Sequence, residues 1–168
     1  MPINFPEGTQ NLPSKIVQVV QSTVTSSSTS TNSSSYVDTG LSVSITPSAS
    51  DSKVFIMCSF LFGQSKSPTS TQNNMKSFTL YRGSTDIAPG NRRFFAHQDE
   101  TSGNINWDEQ TQVCALNYLD SPSTTSSTTY KLRMKVDATQ TTIRFNSRGY
   151  SNGDHAGSCV MIAMEVAA

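Results

Sequence analysis

Residues Leu119–Asp137 read LDSPSTTSSTTYKLRMKVD, a turn and a hydroxyl-rich run followed by the segment that decides the fold. From residue 130 onward, apolar side chains occupy every second position and the residues between them are charged. Period-two alternation is typical of a β-strand with one face on a core and the other in water, and the same segment drawn as a helix has no apolar stripe. It therefore predicts an antiparallel sheet in a two-layer sandwich. The predicted core-facing residues are Tyr130, Leu132, Met134 and Val136.

The composition favours strands and turns. Ser and Thr are abundant, and charged residues make up only 14% of the 168 residues. The 12 Lys and Arg balance the 12 Asp and Glu, so the formal net charge is zero and gives no electrostatic reason to expect nucleic acid or an anionic membrane as a partner. Because no apolar run has the length of a signal sequence or a membrane span, we expect synthesis and folding in a cytoplasm.

Short apolar runs separated by Gly, Pro and Ser turns predict eight or nine strands and no helix. This pattern predicts an all-β, antiparallel β-sandwich over residues 15–168, with a jelly roll as the preferred eight-strand version. Three cysteines fall singly inside apolar strand runs without Cys-x-x-Cys spacing, so they are predicted to be small buried hydrophobic residues. The principal predicted strands are 15–24, 36–46 with a break at Gly40, 53–63, 76–82, 111–119, 130–137, 141–146 and 158–166, and the cysteines are Cys58, Cys114 and Cys159.

Residues 1–14 differ from the rest of the chain because three prolines prevent both a helix and a regular strand ladder. The segment is predicted to be an extended arm carrying the apolar side chains Ile3, Phe5 and Leu12. Two interpretations stay open: the arm is ordered by docking on another chain, or it is a frayed terminus.

The run at 53–63, KVFIMCSFLFG, is apolar on both faces. A simple sandwich leaves one face of each strand in water, so the second face, with Phe55, Met57 and Leu61, requires a cover. A symmetric oligomer would supply it, and a long loop of the same chain is the alternative. We therefore predict that these three residues face a neighbouring subunit.

Several stretches together resemble a known family: KIVQVVQSTVTSSSTS, YVDTGLSVSITPSASDSKVFIM, LDSPSTTSSTTYKLRMKV and MIAMEV. In this order, over residues 15–166, they resemble a β-domain of virion structural proteins of tailed bacteriophages, above all cyanophages, often described as tail-fibre-like. The opening MPINFP is also similar to the start of many phage fibre proteins. The resemblance implies a β-fold, a homotrimer, contacts with other virion proteins and localisation in the virion after assembly in the host cytoplasm. It implies no catalytic residues.

Candidate chemistry is sparse, and we predict neither an enzyme nor a cofactor. The cluster of His97 with Asp99 and Glu100 lacks the spacing that holds zinc and is interpreted as a solvated polar loop. The acids Asp99, Glu100, Asp108 and Glu109 are not predicted to be a glycosidase pair, because adjacent acids are common in hydrophilic loops. Two turn-rich segments combine aromatic rings with amides, which suits a sugar ring, although a Trp107 that simply plugs the end of the sandwich is the favoured alternative. The residues predicted to contact a host surface glycan are Asn104, Trp107, Tyr150 and Asn152.

These observations favour a trimeric virion structural protein in a tail fibre or similar appendage, attached to the particle and facing the host. A capsid decoration protein that stabilises the shell is the close alternative. A carbohydrate-binding module is the alternative of another class.

Overall fold

The structure, a computed structural model, describes residues 15–26, 29–66, 76–88, 94–96, 110–136, 141–147 and 156–167. Within these ranges it contains eleven β-strands and no helix. The strands are β1 (Ile16–Val24), β2 (Ser30–Thr31), β3 (Val37–Ile45), β4 (Lys53–Lys66), β5 (Lys76–Arg82), β6 (Thr85–Asp86), β7 (Phe94–Ala96), β8 (Gln110–Asp120), β9 (Thr128–Val136), β10 (Thr141–Phe145) and β11 (Cys159–Val166).

Eight of these strands are paired as in a jelly roll. In chain order they are β1, β3, β4, β5, β7, β8, β9 and β11, and they pair first with eighth, second with seventh, third with sixth and fourth with fifth, always antiparallel. One long hairpin of four strand pairs, wrapped into two sheets, has this connectivity. The predicted all-β jelly-roll sandwich is therefore confirmed, with β2, β6 and β10 as short additional strands.

The two layers are a six-stranded sheet, called sheet A, and a five-stranded sheet, called sheet B. Sheet A contains β1, β11, β4, β8, β10 and β2, and sheet B contains β3, β9, β5, β6 and β7. In sheet A the long β4 pairs with β8 along one side, and with β11 and then β10 along the other. In sheet B, β9 lies between β3 and β5. The strand that decides the fold is thus a central strand.

The core lies between the two sheets and is formed by alternate residues of each strand. All four apolar residues predicted to face inward from β9 are buried. Phe78 of β5 packs between Phe60 and Phe62 of β4, with ring centroids 4.9 and 4.7 Å away, and these tilted ring contacts join the sheets at their centre. The three cysteines are buried and free, as predicted: Cys58, Cys114 and Cys159.

The strand β3 differs from its prediction at Gly40. The sequence predicts a break there, but the strand continues through the glycine, and the pairing with β9 changes register between Asp38 and Ser42. Gly40 has a φ of 90°, a conformation that side-chain-bearing residues rarely adopt. The glycine therefore accommodates a bulge within one strand.

Candidate assembly interface

The outward face of sheet A carries apolar side chains where a simple sandwich carries polar ones. On β4, Val54, Ile56 and Cys58 point into the core and are buried. The residues between them point the other way, so that Phe55 is half-buried and Met57 is 41% exposed. The structure thus places both residues on the face that the sequence analysis assigned to them.

Strand register continues this face across four strands. Met164 of β11 lies opposite Val19 of β1 on one side and opposite Phe55 on the other, and Phe55 lies opposite Leu119 of β8. Directly opposed residues of antiparallel strands share a face, so these four apolar side chains form one row. The rows that follow are Gln21, Ile162, Met57 and Asn117, then Thr23, Val160, Ser59 and Ala115, then Leu61 and Val113. These three rows of four and one row of two are called the apolar face.

No residue of the apolar face is charged, and its polar members are the neutral Gln21, Thr23, Ser59 and Asn117. Val113 is 78% exposed, Val19 56% and Leu119 46%. Contiguous exposed apolar surface of this kind marks protein–protein contact sites, because water leaves it favourably when a second surface covers it. The face is therefore a candidate interface.

Leu61 differs from the other two predicted interface residues. It is half-buried and packs against the core. A methyl group added to Gly157 would come within 2.5 Å of Leu61 Cδ2, so the backbone before β11 lies directly against this side chain. Leu61 is thus at the margin of the apolar face, partly covered by its own chain.

Three exposed residues of the apolar face were not predicted from the sequence: Val19, Val113 and Leu119. The alternation within 111–119 places Val113 and Leu119 opposite buried residues, and this signal would have identified them. Alternation within a single strand does not identify Val19. Only the register of β1 against β11 shows that Val19 continues the row through Met164.

A buried carboxylate anchors one end of this face. Glu165 of β11 accepts hydrogen bonds from Gln18 Nε2 (2.6 Å) and from the backbone N–H (2.8 Å) and hydroxyl (2.6 Å) of Ser48. Burial alone would raise the pKa of Glu165, but hydrogen bonds from Ser48, Gln18 and Ser52 outweigh it and lower the pKa to about 2. The ionised side chain therefore ties β1 and β11 to the turn between β3 and β4.

A second polar network holds β8 to sheet B. Asp120 at the end of β8 accepts hydrogen bonds from Tyr130 Oη (2.7 Å) and from Arg82 Nη1 (3.0 Å to Oδ1 and 2.8 Å to Oδ2). Burial, and then the neighbouring Asp120, raise the pKa of Tyr130, which keeps the phenol protonated as a donor. The edge of the apolar face is thereby fixed to the core.

The remaining predicted sites fall outside the described residues. They are the arm residues Ile3, Phe5 and Leu12 and the glycan-contact residues Asn104, Trp107, Tyr150 and Asn152. Among the residues that the structure does describe, no three His, Cys, Asp or Glu side chains are grouped as metal ligands. That part of the chain also contains no helix of the length and apolarity needed to cross a membrane.

Comparison with known proteins does not assign the chain to a family. No protein-family model matches the chain, and no curated protein matches it. One solved structure with a similar chain is described as "Structure of infectious bursal disease virus Gx strain". The similarity covers 90% of the present chain and 40% of that chain, at 13% sequence identity and a TM-score of 0.40.

Proposed function

We propose that this chain is a structural protein of a bacteriophage virion, and that it works as a homotrimer built through the apolar face. The observation that carries the proposal is the apolar face, a continuous patch without a charged residue that spans four strands of sheet A. The family resemblance of residues 15–166 supplies the virion context and the three-fold state. The favoured place is a tail fibre or similar appendage, with contacts to other virion proteins, and a capsid decoration protein is the close alternative.

The energetics of the apolar face support self-association. Complete burial of a Val, Leu or Met side chain contributes about 1.5–3 kcal/mol. Four side chains of the face are each exposed by two-fifths or more: Val19, Met57, Val113 and Leu119. Partial burial of these four can therefore offset the several kcal/mol that association costs in lost translational and rotational freedom. Because the face is uncharged, a second copy meets it without burying an unpaired charge.

The oligomeric state in solution tests the proposal. We expect a trimer in light scattering at micromolar protein, and we expect the double variant Met57→Lys and Val113→Lys to be a folded monomer. Ser44→Lys with Thr125→Lys is the matched control, since it adds the same two charges at exposed positions outside the apolar face and should leave the trimer intact. A wild-type monomer at this concentration, or a double variant that remains a trimer, contradicts the proposal.

Particle location separates the two virion roles. Labelled copies seen at the tail, with a few dozen per particle, would support the appendage, whereas hundreds spread over the shell would support decoration. Absence of the chain from purified particles would contradict both.

A further inference from the structure

The outward face of sheet B has a different chemistry from the apolar face. On its central strand β9, the outward residues Lys131, Arg133 and Lys135 follow one another at every second position. Two residues of strand span about 7 Å, so the three cations form a ladder with that spacing. Asp38 of β3 is the one acidic residue with described contacts to this ladder: it pairs with Lys131 at 3.4 Å and forms a short hydrogen bond with Arg133 Nε. Three cations of β9 therefore lie beside this carboxylate of β3.

Two tyrosines hold the ladder in place. The guanidinium of Arg133 lies 4.5 Å from the ring centroid of Tyr81, and the Lys135 ammonium lies 5.5 Å from that of Tyr36. The two rings are 6.2 Å apart, and the Tyr36 hydroxyl shares a 2.5 Å hydrogen bond with Ser77. Stacking on fixed rings restricts the cations before any ligand arrives, which reduces the entropy lost on binding.

We infer that this Tyr–cation cluster, formed by Tyr36, Tyr81, Lys131, Arg133, Lys135 and Asp38, binds an acidic polysaccharide that carries carboxylates on successive sugars. Arg and Lys donate charge-assisted hydrogen bonds to carboxylates, and Arg does so through two parallel N–H groups. Hydroxyl groups border the ladder on the neighbouring strand β3, at the half-buried Ser42 and the exposed Ser44. Such a border matches a ligand that is dense in hydroxyls.

A nucleic acid fits this cluster less well. Single-stranded nucleic acid is held by bases stacked on open aromatic faces along a basic groove. Here the cations of Arg133 and Lys135 occupy ring faces of the two tyrosines, and the rings are tilted by 58° to each other. The zero net charge of the whole chain also provides no long-range attraction for a polyphosphate.

Direct binding to defined oligomers tests the inference. The probes are a hexamer of galacturonic acid, the same hexamer as its methyl ester, and a thymidylate hexamer, measured by calorimetry at low salt where exposed charges are least screened. We expect the acid to bind at least 10-fold more tightly than either other probe. The double variant Arg133→Gln and Lys135→Gln should weaken binding of the acid at least 10-fold.

Two further variants guard against a folding artefact. Lys131→Gln removes the third cation of the ladder and leaves the stacked Arg133 and Lys135 in place. It should weaken binding of the acid 3-fold or more. Lys15→Gln with Lys53→Gln removes the same charge from exposed positions outside the cluster and should leave binding unchanged. No binding of the acid, equal binding of the ester or thymidylate, or equal loss in the Lys15 and Lys53 control would overturn the inference. Oligomeric state is read separately, so failure here is distinct from failure of the proposed assembly.

Discussion

Asn146 and Gly157 are joined by two hydrogen bonds of 2.9 Å, one from Asn146 Nδ2 to the Gly157 carbonyl and one from the Gly157 N–H to Asn146 Oδ1. The same Nδ2 lies 3.2 Å from the carbonyls of Val24 and Ser26. One buried side chain therefore links the ends of β1 and β10 to the segment that leads into β11. This segment also lies against Leu61 at the margin of the apolar face.

Asn146→Asp should destabilise the fold by about 3 kcal/mol, because it replaces the donating Nδ2 group with a carboxylate oxygen that faces three carbonyl oxygens. Urea denaturation measures the free energy of unfolding. Asn32→Asp is the matched control, since Asn32 is exposed and lies outside the apolar face, so its replacement should cost less than about 0.5 kcal/mol. Equal stability of the two variants would show that the Asn146 amide does not hold these strands together.

The stability of the wild type should decrease in acid partly through Glu165. Its pKa is about 2 in the folded protein and about 4.3 in an unfolded chain, so its contribution is complete above the unfolded value and is lost as pH falls through the folded one. Glu165→Gln should cost about 2 kcal/mol at pH 7. The difference from wild type should shrink between about pH 4.5 and pH 2.

Urea denaturation at several pH values measures this difference. Asp51→Asn, a substitution of an exposed acid in the neighbouring turn, serves as control and should follow the wild-type curve. A Glu165→Gln penalty of the same size at pH 7 and pH 2.5 would contradict the assigned hydrogen bonds.

Tyr130→Phe should lower the free energy of unfolding by about 1.5 kcal/mol, because Asp120 loses one hydrogen-bond donor but keeps Arg82. Asp120→Ala should cost more, about 3 kcal/mol, because it leaves both Tyr130 and Arg82 without this acceptor. Thermal unfolding at neutral pH measures both variants. Ser121→Ala keeps the backbone carbonyl that Arg82 contacts and should be neutral. A Tyr130→Phe variant as unstable as Asp120→Ala would show that the phenol, not the ion pair, dominates.

The three thiols should react slowly in the native protein. Burial raises the pKa of Cys58 and Cys159, and raises that of Cys114 to about 11. Only the thiolate reacts, so alkylation at pH 8 should be about 100-fold slower than in urea. Mass spectrometry of each cysteine peptide over time measures the rates. Rapid native labelling of Cys114 would mean that β8 opens from the sheet without global unfolding.

Local patterns predicted much of this fold because burial follows alternation within single strands. The charged and apolar faces of β9 and the two apolar faces of β4 are visible in the sequence alone. The buried Glu165 is not, since an acid near the end of an apolar strand resembles a solvated terminus. Its partners Gln18 and Ser48 lie 147 and 117 positions away, and only the sheet register brings them to it. The rows of the apolar face depend on register in the same way.

Pairing of the first strand with the last has a consequence for biosynthesis. β1 is hydrogen-bonded to β11 within the described strands, so sheet A cannot close until Val166 has left the ribosome. At roughly 5–20 residues per second, β1 waits on the order of ten seconds with its core-facing residues Val20 and Val24 uncovered. Nascent chains on one polysome would then expose the same unpaired apolar strand to each other and could aggregate through it. A chaperone that shields the amino-terminal 25 residues should therefore raise the yield of folded protein.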